Sequence, residues 1–211
     1  MYFSPEDLFL IKGSPSNRRR FLDAEISQAS PAYFNDLLNY NRVLAQRNAL
    51  LKKIKDGIAS TGGLALWDEQ LANFSARIVV KRLEVVGKLN SIAGSIQSEL
   101  SKGSETLSID YEAKGVNGSN FGSGLTDELA ARYHNTLNRL ADVDIARGTT
   151  SVGPHLDDLK FMINGRELRA FGSQGQQRTA VLALKLSELE FLNGETGTYP
   201  VLLLDDVMSE L

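Results

Sequence analysis

Two short stretches hold the residues best suited to chemistry. Asp205 and Asp206 close the apolar run Val201-Leu202-Leu203-Leu204. Carboxylates at the carboxyl end of a buried strand can hold Mg²⁺ directly or through water, while a second one orients or deprotonates an attacking water. Taken alone, the pair is also an ordinary strand end followed by a turn. The second stretch, residues 171–179, reads Phe-Gly-Ser-Gln-Gly-Gln-Gln-Arg-Thr. Its glycines let backbone approach a ligand, and the helix that follows presents free N–H groups and a positive dipole end, a setting suited to phosphate. Ser173, Gln174 and Gln176 add neutral donors to the backbone of Gly175. No Gly-x-x-x-x-Gly-Lys-Ser/Thr loop occurs in the 211 residues, so the stretch is not a phosphate loop of that kind.

Two further groups admit more than one reading. Arg18, Arg19 and Arg20 are consecutive; they are either contacts to DNA phosphates or a solvated basic turn. His155 stands beside Asp157 and Asp158 after Gly153-Pro154, which on paper is a metal or acid/base cluster and more simply capping and hairpin chemistry. Composition narrows the field. Without cysteine there is no disulfide framework, thiol catalysis or cysteine zinc site, and two histidines leave oxygen-ligated hard cations as the expected metals. The net charge of −3 gives no global pull toward nucleic acid, so any such contact must come from a local patch. No apolar stretch reaches the length of a membrane span, and the N-terminus lacks the pattern of a secretory signal. The expectation is a soluble, cytoplasmic chain with no membrane partner.

The elements that must position these residues fall into three zones. Residues 1–30 read as a strand-like Tyr2-Phe3, turns, and a short helix over 21–28, and residues 1–60 carry a basic excess of +3. Residues 31–150 read as a helical lobe. Leu37, Leu44 and Leu51 repeat every seven residues, widened by Phe34, Leu38, Ile54 and Ile58; Leu71, Ile78, Val85 and Ile92 repeat likewise in a second helix of about thirty residues. Ser60-Thr61-Gly62-Gly63 breaks the two, which makes an antiparallel hairpin the simplest arrangement. A strand over 107–113, a glycine-rich loop and a helix capped by Thr126 and ending near Gly148 complete this zone. Residues 151–211 turn to α/β texture, with strands over 159–163, 167–171 and 200–204, a tight turn at Asn164-Gly165, and a helix over 174–192.

With these residues in order, the chain resembles a known family. Ser173-Gln174-Gly175-Gln176 opening a helix, then an apolar strand ending in Asp205-Asp206, then Ser209-Glu210-Leu211, is similar to the signature loop, Walker B strand and D-loop start of an ABC-type ATPase head. Pro5-Glu6, Leu10 to Pro15, Arg18 to Asp23, Gly153-Pro154-His155 and Asp157-Asp158-Leu159 resemble the RecF family of bacterial recombination and repair proteins. Leu156 departs from that pattern, where the family has a basic residue.

The resemblance implies an α/β fold: a partial ABC-type P-loop ATPase head with a mainly α-helical second lobe, lacking the N-terminal Walker A lobe. It implies ATP and Mg²⁺ as cofactors of the intact protein and an ATP-dependent homodimer. In that dimer Ser173, Gln174, Gly175 and Gln176 face nucleotide held by the other head, Asp205 holds Mg²⁺ and Asp206 polarises water. It further implies DNA binding at single-strand/double-strand junctions through Arg18, Arg19 and Arg20, RecR and RecO as partners, and RecA loading in the SOS response. Two other readings stand beside it: another ABC-type head, from chromosome maintenance or a transporter, and a non-enzymatic interaction module built on the helical hairpin.

Overall fold

A computed structural model describes residues 2–3, 5–114, 125–201 and 203–204. The elements run β1 (Tyr2–Phe3), α1 (Phe9–Lys12), α2 (Pro15–Ala29), α3 (Pro31–Lys55), α4 (Leu64–Leu100), β2 (Leu107–Glu112), α5 (Leu125–Arg139), α6 (Ala141–Arg147), β3 (Asp158–Ile163), β4 (Arg166–Glu167), α7 (Leu168–Phe171), α8 (Gln174–Thr196) and β5 (Leu203–Leu204). The chain divides into two compact units. One comprises residues 1–29, 83–112 and 158–211, and the other residues 30–82 and 113–157, so α4 serves both. This differs from three consecutive zones, and it redistributes the charge. The second unit has twelve Lys/Arg against nine Asp/Glu, +3, whereas the first has eleven against seventeen, −6.

In the first unit, β2, β3 and β4 form an antiparallel sheet with Leu107 opposite Ile163, Ile109 opposite Phe161 and Tyr111 opposite Leu159. The alternating pleat buries Leu107, Ile109, Leu159, Phe161 and Ile163 on one face. Asn164 and Gly165 adopt φ of 50° and 74°, the positive pair a two-residue hairpin turn requires. The strand expected over 167–171 is not one: it stops at Glu167, and Leu168–Phe171 coil into a single helical turn that buries Leu168 and exposes Phe171. Helix α2 packs on β3 and α8 and buries Leu22 and Ile26. It begins at Pro15, where a fixed φ favours the first helical turn, and so takes in the three arginines that the sequence placed in a turn. Parallel pairing joins β1 to β5, Tyr2 opposite Leu203 and Phe3 opposite Leu204.

The second unit is helical. Ser30 caps α3, its hydroxyl accepting from the Tyr33 N–H at 3.3 Å, and Pro31 takes the first helical position. Lys52, Lys53 and Lys55 oppose the dipole at its far end. Phe34, Leu38 and Ile58 of the expected apolar stripe are exposed; Leu51 of that stripe is buried, together with Tyr40 and Val43, which the stripe did not include. Helix α5 starts at Leu125, so Thr126 lies inside it rather than capping it. The expected single helix breaks at Leu140 into α5 and α6, and Gly148 ends α6 at φ 69°.

The interior of this unit is held by ions. Arg47, fully buried, donates through Nε to Asp68 at 2.5 Å and through Nη1 to Asp144 at 2.7 Å and Thr150 at 2.8 Å. Nearby, the Tyr40 hydroxyl is hydrogen-bonded to His155 Nδ1. A Cβ on Gly153, at φ 134°, would stand 2.6 Å from that hydroxyl oxygen, so only glycine fits there. Arg82 donates to the Pro154 carbonyl at 2.8 Å and to the Tyr33 hydroxyl at 3.0 Å, while Asp157 accepts from the Lys114 N–H at 2.7 Å. His155 and Asp157 are thus occupied in holding the turn. Among the described residues no group of three or more acids and histidines is placed to hold a metal.

A second buried charge cluster lies in the first unit. Lys185 reaches Glu188 at 3.2 Å and Asp7 at 3.3 Å, and its ammonium stands 5.7 Å from the centre of the Phe21 ring. Glu25 and Glu188 each keep one buried oxygen without a hydrogen-bond partner. Burial, reinforced by the charge of Glu25 and opposed by Lys185, pushes the Glu188 carboxyl up to about 9. A carboxyl raised above its unfolded value favours folding where it is protonated. That contribution is therefore complete below about 4.5 and is lost as pH rises toward about 9. Glu188→Gln is expected to flatten this decline and to stabilise the chain at alkaline pH by about 1–3 kcal/mol, read from urea midpoints across that range. An unchanged pH profile would mean that Glu188 is ionised in the folded chain.

Candidate functional site

The glycine-containing stretch after α7 folds into a tightly specified loop. A Cβ on Gly172 would fall 2.4 Å from Leu168 Cδ1 and 2.6 Å from its carbonyl oxygen, so the chain passes there only as glycine. Ser173 then caps α8. Its hydroxyl accepts from the Gln176 N–H at 3.2 Å, and the Gln176 side-chain oxygen accepts from the Ser173 N–H at 3.0 Å, a reciprocal capping box. From below, the buried Gln177 amide donates to the carbonyls of Leu168 and Gly172, both at 3.2 Å.

The capping box is itself braced. Gln176 Nε2 donates to Glu105 Oε1 at 2.9 Å, and the other Glu105 oxygen accepts from Gln97 at 2.7 Å. Each polar atom of the Gln176 amide therefore holds a partner within the chain, which fixes this side chain beside the loop. What the loop offers outward is different. Ser173, Gln174 and Gly175 are exposed; the Ser173 hydroxyl keeps its proton to donate, and the N–H groups of Gln174 and Gly175 have no partner one turn earlier in α8. A Cβ at Gly175 would meet only Ser173 Oγ, at 3.9 Å, so nothing within the chain requires glycine there. Three neutral donors at the positive end of a long helix can take an anion's oxygens without a counter-charge.

The arginines divide. Arg18 is buried and grips Asp158 with two bonds, Nε to Oδ1 at 2.7 Å and Nη2 to Oδ2 at 2.9 Å, while Nη1 donates to the Gly13 carbonyl at 2.9 Å. With its fork filled, Arg18 ties α2 to the start of β3 and is removed from the expected DNA contact. Burial works against the charge of Asp158, yet the Arg18 fork, the Leu159 N–H and the charge of Arg19 together hold its carboxyl below the usual range. Arg19 is half-buried and Arg20 exposed on the same helix. Asp205 and Asp206 lie outside the described residues, as do Ser209, Glu210 and Leu211.

Sequence reasoning missed Glu105, which stands 71 residues from the glutamine it braces. No local pattern could have found it. No family model matches the chain. It is 48% identical to the DNA replication and repair protein RecF of Natranaerobius thermophilus, over 99% of this chain and 55% of that protein. It is likewise 48% identical to the RecF of Symbiobacterium thermophilum, over 99% of this chain and 54% of that one. This is a RecF-type sequence over its whole length. Solved structures described as the recombination mediator protein RecF-ATP, and RecF-ATPrS, in the RecFOR pathway superpose on all of it with a TM-score of 0.93 at 45% identity. The fold is accordingly α/β, part of an ABC-type ATPase head with a mainly helical second lobe. The chain spans about half the length of the RecF proteins it matches, 55% of the first of them.

The loop's internal contacts make a graded expectation. Gly172→Ala should cost about 1–3 kcal/mol through overpacking, Ser173→Ala about 1 kcal/mol through the lost cap, and Gly175→Ala less than about 0.5 kcal/mol. Urea unfolding of the three variants measures the order. A Gly175 variant as unstable as Gly172→Ala would show that both glycines serve packing.

Proposed function

We propose that this RecF-type chain supplies the signature-loop side of an ATP-bridged pair of heads in DNA replication and repair. The observation that carries the reading is the start of α8, where Ser173, Gln174 and Gly175 present exposed donors on a loop whose other bonds are all internal. ATP, when bound by a second head, brings the γ-phosphate whose charge these donors would meet. The Ser173 hydroxyl and the Gln174 and Gly175 N–H groups then hold its oxygens, and Gln176, fixed by Glu105, keeps that geometry rigid. Gly175 leaves room for close approach. Because such donors do not reorganise as charge develops, they suit a transferring phosphoryl group. Asp205 is proposed to hold Mg²⁺ and Asp206 to polarise the attacking water, as their place after the apolar strand suggests.

The wider role is proposed on the same footing: DNA binding through Arg19 and Arg20, cooperation with RecO and RecR, and RecA loading at single-strand gaps. The pathway named for the matching structures supports it.

Mixing the 211-residue chain with a full-length RecF tests the head pairing, since the partner supplies a phosphate loop. Sedimentation should show association at least tenfold tighter with ATP than without. Ser173→Arg and Gly175→Leu should abolish that gain while circular dichroism stays unchanged. Association indifferent to ATP would overturn the pairing. For DNA, Arg19→Ala/Arg20→Ala should reduce the slope of log affinity for duplex against log salt by about one to two. An unaltered slope would assign both arginines to the helix surface alone.

A further inference from the structure

The helical unit carries an open groove of about 280 Å³ between one face of α3 and one face of α4. Trp67, the chain's single tryptophan, and Phe74 line it from α4, both half-buried. Seven residues separate them, which sets the two rings about 10 Å apart along the helix. Gln70 lies between them, and Asn39, Arg42 and Gln46 face them from α3. No carboxylate is among the described residues that line the groove. Arg77 stacks 4.6 Å from the centre of the Phe74 ring and is balanced by Asp36 at 3.0 Å, so the charge left to the groove is that of the exposed Arg42.

Aromatic faces, amides that both donate and accept, and an unbalanced guanidinium suit a ligand with a flat ring, a hydrogen-bonding edge and a negative charge. An unpaired nucleotide has all three: the base stacks, the amides meet its edge and the cation takes the phosphate. An acidic peptide answers the charge but leaves the amides opposite the rings without a planar partner. Duplex DNA keeps its base faces stacked away. The +3 charge of this unit favours a polyanion over an apolar peptide.

We propose that the groove between α3 and α4 binds an unpaired nucleotide of a single-stranded nucleic acid, the base stacked on Trp67 and the phosphate on Arg42. The site needs neither ATP nor a second head, and it goes beyond the signature-loop reading.

Trp67 fluorescence reports this groove alone. Titrating the 211-residue chain with a short oligothymidylate should give saturable quenching that weakens as salt is raised. An abasic strand of equal length, which keeps the phosphates, should leave the emission unchanged, as should duplex DNA and polyglutamate. Arg42→Ala and Gln46→Ala, both at exposed positions, should raise the Kd at least fivefold with circular dichroism unaltered. Absence of quenching by oligothymidylate, equal quenching by the abasic strand, or equal quenching by polyglutamate would each overturn the proposal, the last in favour of an acidic peptide. None of these results bears on the ATP-dependent pairing of heads.

Discussion

Arg47 is the constraint on which the helical unit depends. A guanidinium with no exposed surface, met by Asp68 from α4 and Asp144 from α6, joins three helices at one point. Removing Arg47 would leave two carboxylates stranded in the interior, a cost of about 3–5 kcal/mol. Geometry follows from that cost. Asp144 also accepts from the backbone and hydroxyl of Ser151, and Thr150 is fixed to Asn48, so the segment leading to Gly153-Pro154-His155 is set by the same network. A planar guanidinium shared between two carboxylates has a narrow range of workable angles, which gives α3, α4 and α6 less freedom than apolar packing alone would.

The loop before α8 follows the same logic with neutral groups. Gly172, the Ser173 cap, the Gln177 amide and the Gln176–Glu105 bond together leave little slack in the backbone around α8's first turn. Donors held this way can meet phosphoryl charge without first being ordered, and the entropy of arranging them is spent at folding. The aromatic groove in the other unit is built more loosely, from side chains on two helix faces. Its ligand would be met by stacking and a cation, which tolerate variation in base identity.

Legibility in the sequence tracked the range of the interactions. Asn164-Gly165 announced its hairpin, and heptad spacing two long helices, because each is decided within a turn or two. Where partners come from afar, the reading failed. Arg18 looks like one of three surface cations until Asp158, 140 residues away, fills its fork. Phe34 and Leu38 fit an apolar stripe by spacing, yet the unit buries Tyr40 and Val43 instead. Glu167–Phe171 alternates as a strand should, and the burial of Leu168 coils it into a helical turn.

The sequence by itself determined the order of the motifs, the family they resemble and the residues whose types suit a phosphate, since these depend on residue type and short spacing. Tertiary structure decided which of those residues have free donors. It turned Arg18 and Gln176 inward, left Ser173, Gln174 and Gly175 outward, and gathered Arg42, Trp67 and Phe74 along one groove. The physical reason is that a hydrogen-bonding group serves a ligand only with the capacity its own fold leaves unused, and that remainder is settled by partners many residues away.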